Sequence, residues 1–434
     1  MDLVAVAVFG IVFAAVLLRQ LVGRGPGVWA IFLVGALGTV VSGVLTPSGA
    51  ADALDAALPV LLFLLPLFVF AQAFQESGAL DHLARWLVGR APRPRDLPFV
   101  LFVGIGLVSS IFVNDAMVLV GVPLLVGVAA RMRADPKPLL LVMAFAVTVG
   151  STLTPFGNPQ NLLVAVSAGF ASPVATFLEY LAVPTAVNLV VGGWFLRWVY
   201  HRSMPPDDDH FRSLRSPPTP FFPPGNWGRR LREQPVLWAF PGTLIVLVTV
   251  DLVAAATHGS ATPSWEIALG GAAVLLAATP SRVRVVSGVN WRVLLLFVGL
   301  FVVVAGAVVG GVVAGIESIL PIPGPGHPVA VLSITGTSLV GSQAVSNVPW
   351  VGLQIPVLTG LGYSASTPVA WMALAGASTL AGNLTFVGAA SNLILVEAAE
   401  RQGVRIRLGE FVRVGVPLTA ITVAVLVGCL MVGI

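Results

Sequence analysis

Apolar runs long enough to cross a bilayer follow one another through this sequence, and four of them are interrupted by asparagine, serine, glycine or proline. The runs cover 3–22, 27–45, 57–79, 98–134, 138–169, 176–199, 236–256, 264–280, 291–315, 328–360, 367–398 and 412–433. A helix needs about 20 apolar residues to span the hydrocarbon core. Inside that core every backbone N–H and C=O must find a partner within the protein. The chain is therefore expected to be an all-α polytopic membrane protein. Composition agrees: 57% of residues are hydrophobic and 10% charged, against about 25% charged in a soluble domain. The single cysteine, Cys429, excludes an intrachain disulfide and a thiolate metal site. Neither an H-E-x-x-H nor a G-x-S-x-G motif is present, so no enzyme is expected. The first run follows Asp2 rather than a basic segment and lacks a small-residue cleavage site, so it reads as a membrane helix.

The 23 Lys and Arg residues fall between the runs in a pattern. They follow the first run (Arg19, Arg24), the third (Arg85 to Arg95), the fourth (Arg131, Arg133, Lys137) and the sixth (Arg197 to Arg232). Others lie after the eighth (Arg282, Arg284, Arg292) and the eleventh (Arg401 to Arg413). The remaining loops carry none. The positive-inside rule makes the basic loops cytoplasmic. That assignment closes only if 98–134 enters and leaves on the cytoplasmic side and 328–360 enters and leaves on the outside. Each is about 35 residues long, where one crossing takes about 20, so both read as re-entrant hairpins. A multi-pass protein of the cell inner (plasma) membrane follows, with both termini outside. The net charge of +4 is spent on orientation and implies no nucleic-acid partner.

Two stretches of the chain repeat. "VNDAMVLVGVPLL" (113–125) aligns with "SNVPWVGLQIPVL" (346–358), pairing Asn114 with Asn347 and Pro123 with Pro356. "GSTLTPFGNPQNLLV" (150–164) aligns with "AGNLTFVGAASNLIL" (381–395), pairing Thr154 with Thr385, Gly157 with Gly388 and Asn161 with Asn392. Residues 1–200 thus read as a first repeat, with hairpin 98–134 and broken helix 138–169. Residues 236–434 read as a second, with hairpin 328–360 and broken helix 367–398. Each has three spans, a hairpin, an interrupted helix and a further span. The charge map runs the halves in opposite directions, which is an inverted-topology repeat. The Pro-rich segment 201–235 is the expected cytoplasmic linker.

Irregular backbone survives in a membrane only where it lines a cavity or binds something. Inverted repeats with broken helices mark secondary transporters, with the site between the repeats. Helix N-termini favour anions and C-termini favour cations. Asparagine both donates and accepts, glycine lets a ligand approach, and proline lacks the N–H a break would strand. The four breaks are expected to converge on one polar cavity. Asp115, at the first hairpin tip, is the sharpest residue: an intramembrane carboxylate is a functional hypothesis by default. Glu76 and Asp251 also lie in or near runs, where interfacial or structural roles are expected.

At these residues the chain resembles the ion transporter superfamily of arsenite permeases, sodium–proton antiporters, and citrate and divalent anion symporters. "NDA" at 114–116, "TPFGNPQN" at 154–161 and "SQAVSNVP" at 342–349 carry the resemblance, which is nearest in style to the anion transporter branch. It implies a homodimer that moves a transport domain against a scaffold, elevator fashion. It also implies a cation site at each hairpin tip with its paired break, and substrate between the tips. The tips depart from the Ser-Asn-Thr of dicarboxylate symporters: here they are Val113-Asn114-Asp115 and Ser346-Asn347-Val348.

The expected function is Na⁺- or H⁺-coupled transport of a small anion or oxyanion across the lipid bilayer, with no other cofactor. Asn114, Thr154, Asn158, Ser346, Asn347, Thr385 and Asn392 are the candidate substrate residues. Asp115, Asn114, Gly157, Asn161, Ser346, Asn347, Gly388, Ser391 and Asn392 are the candidates for cation or proton coupling. The alternative is a sodium–proton antiporter with Asp115 as the exchanging carboxylate.

Overall fold

A computed structural model of the chain describes residues 2–22, 25–207, 227–257, 263–386 and 388–433. Of the linker, residues 208–226 lie outside the described residues. The first half runs α1 (Leu3–Val22), α2 (Val28–Val41), α3 (Pro47–Ser77), α4 (Ala79–Arg90), α5 (Leu97–Ser109), α6 (Asn114–Arg131), α7 (Lys137–Gly150), α8 (Pro159–Ser167) and α9 (Pro173–Tyr200). A short α10 (Trp227–Glu233) leads into the second half. That half runs α11 (Val236–Thr257), α12 (Ser264–Ala278), α13 (Arg282–Ser287), α14 (Trp291–Val309), α15 (Val312–Ile319), α16 (Ala330–Val345), α17 (Asn347–Gly360), α18 (Pro368–Ala381), α19 (Ala390–Arg401) and α20 (Leu408–Val432). Six of these helices are long and apolar enough to cross a membrane: α3, α6, α9, α11, α14 and α20. The protein is an all-α, multi-pass membrane protein.

The helices pack in two groups. In the first, α2 lies on α14, α3 on α12 and α14, and α11 on α12. In the second, α5 lies on α7 and α9, α16 on α18, and α9 on α20. The halves interlock there, with α6 against α19 and α8 against α17. At the centre of this group, α7 and α18 are sheathed in protein: nearly every residue of each is buried. Each has 14 residues. At about 1.5 Å rise per residue each is shorter than the ~30 Å hydrocarbon core.

Elsewhere the helix ends depart from the apolar runs. Helix α3 starts at Pro47, not 57, because Thr46 caps it by accepting from the Gly49 N–H at 3.1 Å and Pro47 is suited to the first turn. The run 291–315 is two helices, joined at Gly311 with φ +71°. Gly78, with φ +69°, makes the matching joint between α3 and α4. Only glycine takes such angles freely. Helix α4 was not legible as a span because it is amphipathic. Arg90 lies over the Trp86 ring at 4.4 Å. Trp86, Trp194, Trp198, Trp238 and Trp291 are all exposed and sit beside basic segments, as membrane-interface anchors do.

Candidate functional site

Four helix N-termini meet at one cavity of about 50 Å³. Its wall takes Asn114 and Asp115 from the start of α6, and Asn158, Pro159 and Gln160 from the start of α8. It takes Ser346, Asn347 and Val348 from α17, and Ala389, Ala390 and Ser391 from α19. Thr148 and Thr379, near the ends of α7 and α18, complete the polar lining, and Val293 and Leu296 of α14 close one side. Each N-terminus carries a positive dipole end and amides that have no partner within their own helix. Asp115, buried, is the one ionisable group among these lining residues, and no Lys, Arg or His is among them.

The first break is built backbone outward. Helix α7 ends at Gly150, whose close approach to the Gly106 carbonyl leaves no room for a side chain. The chain then folds back so that a Cβ on Gly157 would lie 2.5 Å from the Ser151 carbonyl oxygen, which only glycine permits. Asn158 caps α8, its Oδ1 accepting the Asn161 N–H at 2.8 Å, with Pro159 in the first turn. The Asn161 amide donates to the carbonyls of Ser151, Thr152 and Thr154 at 3.0, 3.3 and 3.2 Å. The Thr379 hydroxyl joins the halves: it donates to Asn161 Oδ1 at 3.0 Å and accepts from Asn158 Nδ2 at 3.2 Å and Gln160 Nε2 at 3.5 Å. The hairpin tip is tied on by Asn114, which accepts the Ser109 hydroxyl at 2.8 Å and donates to Ser151 Oγ at 3.1 Å. Thr154 donates to the Ser110 carbonyl.

The second break is looser. The Asn347 N–H and the Ser346 hydroxyl both donate to the Gly388 carbonyl, at 3.1 and 3.3 Å. Thr385 donates to Gln343 Oε1 at 2.7 Å, and Gln343 donates to the Ala381 carbonyl at 2.7 Å. Asn392 donates to the Gly382 carbonyl at 2.7 Å. Ser346, not a glycine, holds φ +74° and ψ 159°, a conformation that costs on the order of 1–3 kcal/mol. Its counterpart Val113 is relaxed at φ −60°.

Of the residues expected at the site, Asn114, Asp115, Asn158, Ser346, Asn347 and Ser391 reach the cavity wall. Thr154, Gly157, Asn161, Thr385, Gly388 and Asn392 stand behind it and hold the breaks in shape. Sequence reasoning missed Thr148, Thr379, Gln160 and Ser151. The repeat alignment held the signal for two of them, since the register pairing Thr154 with Thr385 also pairs Thr148 with Thr379. Outside the cavity, Glu76 accepts from the Ser281 hydroxyl at 3.3 Å, and Asp251 caps α9 by accepting the Ala175 N–H at 2.8 Å.

Comparison with known proteins shows the family and the fold. The citrate transporter family model matches residues 13–381. A 46 kDa membrane protein of Mycobacterium leprae is 27% identical over 371 residues, covering 84% of each chain. A silicon efflux transporter of Oryza sativa is 26% identical over 430 residues, covering 88% of this chain and 86% of the relative. Among solved structures, the Alcanivorax borkumensis YdaH transporter superposes with TM-score 0.52 at 17% identity, over 88% of this chain and 86% of that one. Neisseria gonorrhoeae MtrF superposes with TM-score 0.54 at 13% identity, over 99% and 94%. These two share the fold. With a family match across most of its length, the chain belongs to the citrate transporter family of membrane transporters.

Proposed function

We propose that this protein is an ion-coupled secondary transporter of a small oxyanion, working by elevator-type movement of one helix group against the other. The observation that carries the reading is the meeting of four helix N-termini at a buried cavity with no cationic side chain. Amides and dipole ends there suit oxygen acceptors. The small volume suits a compact oxyanion better than an extended tricarboxylate, and one relative is described as a silicon efflux transporter. Asp115 would accept a hydroxyl of a partly protonated oxyacid, or carry the coupling proton.

In this reading the two halves are inverted repeats, and both termini lie outside. The group holding α5–α9 and α16–α20 is the moving part, and the group of α1–α3 and α11–α14 is the scaffold of a homodimer. Two contacts support a cytoplasm-facing position. Phe112 at the first hairpin tip packs on Phe74, near the cytoplasmic end of α3, with ring centroids 4.6 Å apart. Val293 and Leu296, against the cavity, lie in the first turns of α14, next to the basic loop. The repeat register pairs them with Val60 and Phe63 of α3, which would line the cavity in the opposite state.

The test is transport by purified protein in proteoliposomes. Silicate, arsenite, phosphate and citrate are offered with an imposed sodium or pH gradient. Gradient-driven accumulation of one compact oxyanion, lost in Asp115→Asn under a pH gradient, is expected. A specific observation favours a second reading: Asp115 is the carboxylate on a wall without a counter-charge. Sodium–proton exchange with no solute flux would replace the oxyanion reading with the antiporter.

A further inference from the structure

We propose that helix α9 has two alternative caps at its N-terminus, Asp251 of α11 and Ser172 of its own segment, and that exchange between them lets α9 part from the other helix group without leaving a buried amide unpaired. The pair of caps stands on the geometry. Its use during movement rests on the elevator reading above.

Helix α9 begins at Pro173, so Ser172 is its N-cap residue and the Ala175 N–H is a donor that a cap should satisfy. Serine is among the residues best suited to that task. It does not perform it here. Ser172 stands outside the helix at φ −136° and ψ 79°, and its buried hydroxyl has no partner. The Ala175 N–H is taken instead by Asp251 Oδ2 at 2.8 Å. Asp251 is 1% exposed and lies toward the C-terminal end of α11. A carboxylate at a helix N-terminus is also favoured by the dipole, so the borrowed cap wins while it is in reach.

The two caps belong to different helix groups. Asp251 is carried by the group of α1–α3 and α11–α14, and Ser172 and Ala175 by the group of α5–α9 and α16–α20, with α9 and α11 packed together across the divide. Helix α20, the register counterpart of α9, is built otherwise. Its first turn is capped within its own group, where Glu410 accepts the Arg407 N–H at 2.8 Å and pairs with Lys137 of α7 at 2.7 Å. Helix α20 therefore keeps its cap wherever its group goes, and α9 does not.

The groups also fit loosely at this point. A cavity of about 200 Å³ lies between Pro173 and Val174 of α9 and Pro59, Phe63 and Trp265 of α3 and α12. When Asp251 is drawn away, the Ala175 N–H loses its acceptor, and a buried donor left unpaired is costly. Ser172, with its hydroxyl uncommitted, is the residue placed to take it.

The experiment measures how Ser172→Ala changes the melting temperature of the purified protein in three backgrounds. With Asp251 intact no shift is expected, because the serine hydroxyl makes no bond. In Asp251→Ala, where serine is left as the cap, Ser172→Ala should lower the melting temperature clearly. In Asp251→Asn, whose side-chain oxygen still accepts, the shift should be small again, which separates loss of a cap from loss of folding. An equal shift in all three backgrounds, or none in any, would overturn the two caps. Their use in movement is read with Asp251 intact, by crosslinking in a Cys429→Ser background. Ser172→Ala should lower several-fold the yield between Ala307→Cys and Val345→Cys, register counterparts of the touching Phe74 and Phe112, because α9 then has no cap in the opposite state. An unchanged yield would overturn that use. A parent protein that never forms this crosslink would instead sink the elevator reading, and the movement clause with it, while the melting temperatures still decide the caps.

Discussion

The Thr379 hydroxyl donates to Asn161 Oδ1 at 3.0 Å, and by that bond the buried helix of one half holds the broken helix of the other. Both residues are essentially inaccessible, at 1% and 0% exposure. The same oxygen accepts from Asn158 and Gln160, so one hydroxyl orders three side chains of the break. Thr379→Val keeps the shape and removes the hydroxyl. It should destabilise the protein by about 1–3 kcal/mol, because Asn161 Oδ1 is left buried and unpaired. Thermal unfolding in detergent would show it, and Thr379→Ser should restore most of the loss.

The two glycines of the breaks should tolerate alanine differently. At Gly157 the added Cβ meets Ser151 backbone atoms at 2.5–2.9 Å, and backbone cannot step aside. At Gly388 it meets the far end of the Gln343 side chain at 2.7–3.2 Å, which can rotate. Gly157→Ala should therefore cost about 1–3 kcal/mol or more by overpacking and lose transport. Gly388→Ala should cost less, because only the Gln343 bonds to Thr385 and Ala381 are given up when that side chain turns aside. Equal effects on melting temperature would contradict the backbone argument.

Ser346 stores strain that its counterpart does not. Ser346→Gly should raise the melting temperature, since glycine relieves an angle costing on the order of 1–3 kcal/mol against a smaller entropic penalty. Ser346→Thr should lower it, because a β-branched residue fits φ +74° worst. The order Gly, Ser, Thr in measured stability is the readout.

The proposed elevator movement is testable at Phe74 and Phe112, whose rings touch across the two helix groups. In a Cys429→Ser background, a short reducible crosslinker between Phe74→Cys and Phe112→Cys should stop transport, and reduction should restore it. The repeat register pairs these positions with Ala307 and Val345. Cysteines there should crosslink in the opposite state, and their yield should fall when the first pair is locked. Full transport with the first pair crosslinked would rule out the movement.

The ion pair between Lys137 Nζ and Glu410 Oε1, 2.7 Å long, ties the start of α7 to the start of α20. Both side chains are about a third exposed. Such a pair contributes about 0–1 kcal/mol and weakens with salt. A double-mutant cycle should find a small coupling at low ionic strength that disappears at high.

Much of this protein follows from its sequence alone. The apolar runs dictate membrane helices, since lipid leaves the backbone no other way to satisfy itself. Asn114, Pro155, Gly157, Pro159 and Asn347 announce where those helices fail, because their backbone and hydrogen-bonding habits are local properties. Amphipathic α4 and the early start of α3 were hidden, since hydropathy registers the bilayer and not the caps. The tertiary structure decided what local chemistry cannot. It brought the four helix N-termini, scattered from Asn114 to Ser391, onto one cavity. It placed Thr379 rather than a residue of the first half against Asn161. It also left the side-chain oxygens of Asn347 and Asn392 without a partner, where those of their counterparts Asn114 and Asn161 accept from Ser109 and Thr379. Whether a buried oxygen has a donor depends on which helix packs beside it, and that is settled only when the halves come together.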